Sequence, residues 1–132
     1  MGNAPQKEKT PAGDDKYLEP RMCSAAFDGN VAEVIRCLDS GAKSVNLAMT
    51  AAAQTNQVEV MQVCLQRGAD QNAEVTSLLL AASCGHAEAV QFICENRRAI
   101  ATVTRMRMAA RCAQANGHAD LAKLCEEMAT KE

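Results

Sequence analysis

Seven cysteines and two histidines are the side chains of this 132-residue chain best suited to covalent or metal chemistry. A thiol nucleophile would need a base and a group to orient that base, redox exchange would favour a CxxC pair, and structural zinc would need ligands in paired spacing. Only Cys84-Gly85-His86 brings a thiol and an imidazole close in sequence, and no Asn or Asp is placed to orient that His. The cysteines follow one another at intervals of 14, 27, 20, 10, 18 and 13 with no CxxC pair, an odd and scattered set that fits neither a disulfide framework nor a zinc site. The expectation is therefore no catalytic residue, no metal, no cofactor and no enzyme. Free cysteine packs as a small hydrophobe, and a reducing compartment such as the cytoplasm suits seven of them.

Arg97, Arg98, Arg105, Arg107 and Arg111 make the one concentrated basic region. Arg107 and Arg111 stand i, i+4 on one helix face. They read either as a solvated face opposite Glu126 and Glu127 of the next helix, or as a patch for an acidic partner or a phosphate. Formal net charge is -2, which gives no overall case for nucleic acid or an anionic membrane as main partner.

Helices must position these groups. Apolar residues make up 48% of the chain but aromatics only 2%, so the interior has to be built from Ala, Leu, Val, Met and Cys. The remaining composition, rich in Gln, Glu and Arg, favours helix over strand. Laying the chain on itself exposes a repeat. Ala25-Ala26-Phe27-Asp28-Gly29-Asn30, Ala52-Ala53-Gln54-Thr55-Asn56-Gln57 and Ala81-Ala82-Ser83-Cys84-Gly85-His86 align without gaps, and Ala113-Gln114-Ala115-Asn116-Gly117-His118 is a weaker fourth copy.

Each copy leads into a stretch with apolar residues at i, i+3, i+4 spacing: Val34, Cys37 and Leu38; Met61, Cys64 and Leu65; Val90, Ile93 and Cys94; Leu121, Leu124 and Cys125. Gly41 and Gly68 close the first two of these stretches, where a left-handed residue ends a helix. The pattern predicts first helices near 20–28, 45–55, 74–84 and 104–115, and second helices near 31–40, 58–67, 87–97 and 119–130. Segments of about ten residues are marginal alone, so stacking between pairs must hold them. Cys37, Cys64, Cys94 and Cys125 read as core, Cys84 as outward, and Asn30, Gln57, His86 and His118 share one turn-stabilising position.

Copy three, with Thr76-Ser77-Leu78-Leu79, Ala81-Ala82 and Gly85-His86 preceded by Gly68-Ala69-Asp70-Gln71-Asn72-Ala73, resembles the ankyrin repeat. The resemblance runs from about residue 20 to 130. It implies an all-α, ankyrin-like α-solenoid of four helix-turn-helix repeats, at about 20–43, 45–72, 74–98 and 104–130, in a domain spanning 18–132. The sequence departs from the family in lacking the motif's Pro and its fourth-position His, and in its period. From Asn30 to Gln57 is 27 residues, from there to His86 is 29, and from there to His118 is 32, against about 33 in ankyrin repeats. The β-hairpin fingers are therefore expected to be mostly lost, with any excursion confined to Arg97 to Val103.

What the resemblance implies for function is a non-catalytic protein-protein interaction or scaffolding module. In such units the pair after Ala-Ala faces the groove, here Phe27, Asp28, Gln54, Thr55, Ser83 and Cys84, with Arg97, Arg98, Arg107 and Arg111 as a second candidate surface. A permanent structural subunit of a cytoskeletal or organellar assembly, or a small ankyrin-type enzyme inhibitor, are the alternatives. Residues 1–17, rich in Lys, Pro, Gly and Asp, read as a disordered tail. Met1-Gly2-Asn3 begins like an N-myristoylation signal, but Gln6 stands where Ser or Thr is wanted, which leaves Gly2 a weak acylation site. The longest apolar run, Leu78 to Ala82, is too short for a membrane span, and no signal-peptide core precedes the repeats.

Overall fold

A computed structural model describes residues 15–97 and 100–130. Among the described residues there are eight helices and no strand. They are α1 (Asp15–Asp28), α2 (Val31–Asp39), α3 (Val45–Gln54), α4 (Val58–Gln66), α5 (Gln71–Cys84), α6 (Ala87–Asn96), α7 (Val103–Ala115) and α8 (Ala119–Thr130). The chain is all-helical, as its composition predicts. Residues 1–14, and with them Gly2, lie outside the described residues, as does Arg98.

Each odd-numbered helix packs on the even-numbered helix that follows it and on the next odd-numbered one, so α1, α3, α5 and α7 form one row. Helices α2, α4 and α6 form a second row, while α8 packs chiefly on α7. The paired alanines explain the closeness of the first row. Ala25 and Ala26, Ala52 and Ala53, Ala81 and Ala82 are all buried, and side chains this small let neighbouring backbones approach. Larger side chains fill the space between rows: Met22, Met49, Met61, Leu78, Ile93, Ile100 and Met106 are the bulkiest fully buried ones. The expected stripe of the second helices is inside, with Val34, Cys37, Met61, Cys64, Val90, Ile93, Cys94, Leu121 and Cys125 buried. Leu38, Leu65 and Leu124 pack half-buried against it.

Two helices begin earlier than the sequence pattern predicts. Helix α1 starts at Asp15 and carries Pro20 inside it, so residues 15–17, read as tail, are helical. A helix-interior proline costs about 3 kcal/mol because it has no N–H to return to the preceding turn. Two contacts of that turn offset it: Leu18 is buried, and Glu19 accepts hydrogen bonds from the backbone N–H groups of Lys43 and Ser44 at 2.8 and 2.9 Å. Helix α5 starts at Gln71 and not near 74, because Asp70 caps it at once, Oδ1 accepting from the Ala73 N–H at 3.0 Å. The Gly-Ala-Asp segment is thus an immediate helix start. The links after Gly41 and Gly68 are short and carry no strand.

One core atom is out of keeping with its surroundings. Ser77 is fully buried on α5, and its hydroxyl has no hydrogen-bond partner. The same repeat position holds Ala48 in α3 and Ala109 in α7, both fully buried. A buried hydroxyl left unsatisfied costs about 1–3 kcal/mol. Ser77→Ala is accordingly expected to raise the melting temperature by about 3–6 °C, the equivalent of ~1 kcal/mol at this chain length, as read by circular dichroism.

Candidate interaction face

The outward face of the first row is held by polar links between successive helix pairs. Helix α3 has no side-chain cap of its own; the Glu19 carboxylate from α1 supplies it, and the Lys43 N–H is the chief reason its carboxyl sits below the ordinary glutamate range, with the Ser44 N–H adding to this and partial burial opposing it. One repeat on, Asn46 takes the place of Glu19. Its Oδ1 accepts from the Asp70 N–H and its Nδ2 donates to Asp70 Oδ2, both at 3.0 Å. At the third junction a salt bridge replaces these bonds, Arg97 Nε donating to Oε2 of the buried Glu74 at 2.7 Å.

The turns interlock as well. Thr55 Oγ1 donates to the Phe27 carbonyl at 2.7 Å, and His86 Nε2, protonated to serve as donor, lies 2.9 Å from the Gln54 carbonyl. Asn56 takes the left-handed position, φ 62°, that glycine holds in the other three copies. Asparagine tolerates that region better than other residues, and here its side chain also accepts from the Ala89 N–H at 3.1 Å. Gly29 and Gly85 both have φ near 80°, and at Gly85 a Cβ would also collide with the His118 ring of the next turn. The shared position of Asn30, Gln57, His86 and His118 is therefore a turn-packing position, Asn30 acting by capping α2 through the Glu33 N–H.

On this frame, Phe27, Asp28, Gln54 and Cys84 are exposed and Ser83 is half-buried. Thr55 is half-buried and committed to Phe27. Arg97 is committed to Glu74, and its Nη1 also donates to the Asn96 carbonyl at 3.0 Å. Arg107 and Arg111 are exposed on α7, and among the described residues neither makes an ion pair. Arg111 shares an open depression of about 290 Å³ with Lys123 and Glu126, floored by Ala110 and Ala122. Motif reasoning missed Leu47 and Met108, which are 58% and 44% exposed beside Phe27 at 47%. Steps of 29 and 32 residues carry Leu47 to Thr76 and then to Met108. The three thus occupy one register on α3, α5 and α7, a signal already present in the repeat alignment.

The thiols divide by burial. Burial is the main cause that pushes Cys64 up to about 12 and Cys94 and Cys125 up to about 11, and it raises Cys23 and Cys37 as well. A thiol so shifted is almost wholly protonated at neutral pH and a poor nucleophile. Cys94 Sγ rests 3.6 Å from Met106 Sδ as a core contact. Cys84 alone of the seven is exposed. Among the described residues no group of three or more His, Cys, Asp or Glu side chains is gathered as a metal site would require, and no helix is long and apolar enough to cross a membrane. No family model matches the chain, and neither does any curated protein.

Iodoacetamide at pH 7.5 is expected to label Cys84 of the native chain first, with Cys37, Cys64, Cys94 and Cys125 reacting only after unfolding; peptide mass spectrometry would assign the order. A second expectation concerns Glu19. Its folded carboxyl lies below the unfolded value, so its contribution to stability is present above ~pH 4.3 and is lost as pH falls through the folded value. The melting-temperature gap between the native chain and Glu19→Gln should be widest near pH 6 and narrow as pH approaches 3. A gap that stays constant would mean that the Glu19 charge has no part in the cap.

Proposed function

We propose that the chain is an ankyrin-type repeat domain that works without catalysis, in the cytoplasm, as a protein-binding module whose partner lies on the outward face of α1, α3, α5 and α7. Support for the repeat type comes from the Ala-Ala pairs, the Gly-His turns, the Gly-Ala-Asp segment and the sequential packing of helix pairs. The absence of strands from the described links agrees with shortened fingers. Seven free cysteines suit a reducing compartment.

One observation carries the choice of face. Phe27, Leu47 and Met108 stand exposed on α1, α3 and α7, three of the four members of one helix row, in a chain with only two phenylalanines and no tryptophan. An interior this short of large side chains has use for each of them, so their placement outside is informative. Large apolar side chains spaced along one face are the usual anchors of a protein interface. Trimmed fingers leave the helix face as the main remaining surface.

The test is affinity capture with quantitative mass spectrometry, comparing the native chain with Phe27→Ala/Leu47→Ala/Met108→Ala and with Glu59→Gln on the exposed side of α4. The expected result is a protein retained by the native chain and by the Glu59 control but depleted about tenfold, equivalent to ~1.4 kcal/mol, with the triple variant. Its melting temperature should fall only slightly, since the three side chains are largely outside the core. Equal capture by all three forms would reject the face, and unfolding of the triple variant would place its residues in the core.

A further inference from the structure

From α3 to α7 the helices differ in charge by row. Helices α3 and α7 contain no Asp or Glu at all, and the only carboxylate of α5, Glu74, is buried and paired with Arg97. The exposed charges of this part of the first row are Lys43, just before α3, Asp70, just before α5, and Arg107 and Arg111 on α7. On α4 and α6 of the second row the exposed charges are the carboxylates Glu59, Glu88 and Glu95. On α7 the apolar Met108 is therefore flanked by Arg107 and Arg111 with no carboxylate on the helix itself, while Leu47 on α3 lies between Lys43 and Asp70.

The arginines have a structural reason to be free. Steps of 32 residues place Arg107 in the register of Val75 and Arg111 in that of Leu79, both half-buried against the core. Among the described residues no helix follows α7 on that side. The positions that seal one pair against the next in α5 are thus open in α7 and carry guanidinium groups. Polar residues at an open position keep a repeat soluble, but solubility alone does not account for the lack of any acid on α7 itself or for Met108 beside the arginines.

We propose, on the reading of this face as the partner surface, that its occupant is a protein segment in which acidic side chains alternate with apolar ones. The apolar groups would rest on Leu47 and Met108, and the carboxylates would meet Arg107 and Arg111. Guanidinium groups suit this role because their planar donors match a carboxylate in bidentate fashion. From α3 to α7 is two helix spacings, ~20 Å, which about 13 helical or six extended residues would span. A basic segment is disfavoured on this face and would be drawn to the acidic row instead.

Selection of a displayed library of random 16-residue peptides on the full chain tests this. Enriched peptides are expected to carry net negative charge together with apolar residues. Fluorescence anisotropy of the most enriched peptide should show affinity falling at least tenfold in Arg107→Glu/Arg111→Glu and falling steeply from 50 to 300 mM salt. The same peptide with its acids changed to lysine should prefer the charge-reversed variant to the native chain. Enrichment of neutral or basic peptides, or binding indifferent to the charge reversal, overturns the proposal. Peptides lost with Leu47→Asp/Met108→Asp yet indifferent to the arginines would remove the acidic requirement while keeping the face. No enrichment, or indifference to both variants, would remove the proposal and the face together.

Discussion

Contact between one helix pair and the next governs this structure, because no single element is long enough to hold itself together. The helices run from 9 to 14 residues, and isolated helices below about 12–15 residues are marginal in water. Nearly all of the stabilising burial must come from the rows. With aromatics at 2% of the chain, the burial available per residue is small, and close approach has to compensate for it. The alanine pairs of α1, α3 and α5 permit that approach. Replacing one alanine by a larger residue would push two backbones apart and strain contacts on both sides, as small-to-large changes do in a close-packed core.

Apolar contact between small side chains sets distance but little orientation. Orientation is supplied by the polar links at the helix starts and turns, and their chemistry changes from junction to junction while their place stays the same. Glu19 caps the start of α3, Asn46 holds the start of α5, and Glu74 reaches forward to Arg97 in the link that leads to α7. The last of these differs most, in line with its longer connection. Helix α7 is capped by its own Thr102, whose hydroxyl accepts from the Arg105 N–H at 3.2 Å, and the link before it is tied back by the Arg97 side chain. Arg97 thereby leaves the surface cluster to which its sequence position assigned it.

How far the sequence could be read follows from the same physics. Helix existence, pairing and the buried stripe were legible because periodic burial leaves a periodic trace, and the short loops were legible because a period below that of the resembling family has to lose residues somewhere. Helix starts were not. Pro20 and Gly68-Ala69-Asp70 are both ordinary boundary signals, and only the side chains packed around them decide that α1 runs through the first and that α5 begins on the second. Of the candidate surface residues, Thr55 and Arg97 are held by bonds to groups 28 and 23 residues away, which no local pattern announces. Leu47 and Met108 were visible in the register but resembled core leucines and methionines, and exposure is a property of the stack as a whole.

The sorting of charge between rows extends this point to function. In a repeat array each helix position recurs, so a bias at one position is multiplied along a face, and a face of one sign arises from few substitutions. Here the bias is a shortage of acids in α3, α5 and α7 combined with exposed apolar groups. Stability does not demand it: exposed ion pairs on a helix contribute only a few tenths of a kcal/mol each, and mixed charges would solvate the row equally well. Stability does not demand exposed Leu47 and Met108 either, since polar residues in their place would leave the buried core untouched. Two features that folding does not require coincide on one helix row, and the proposed binding role would account for both.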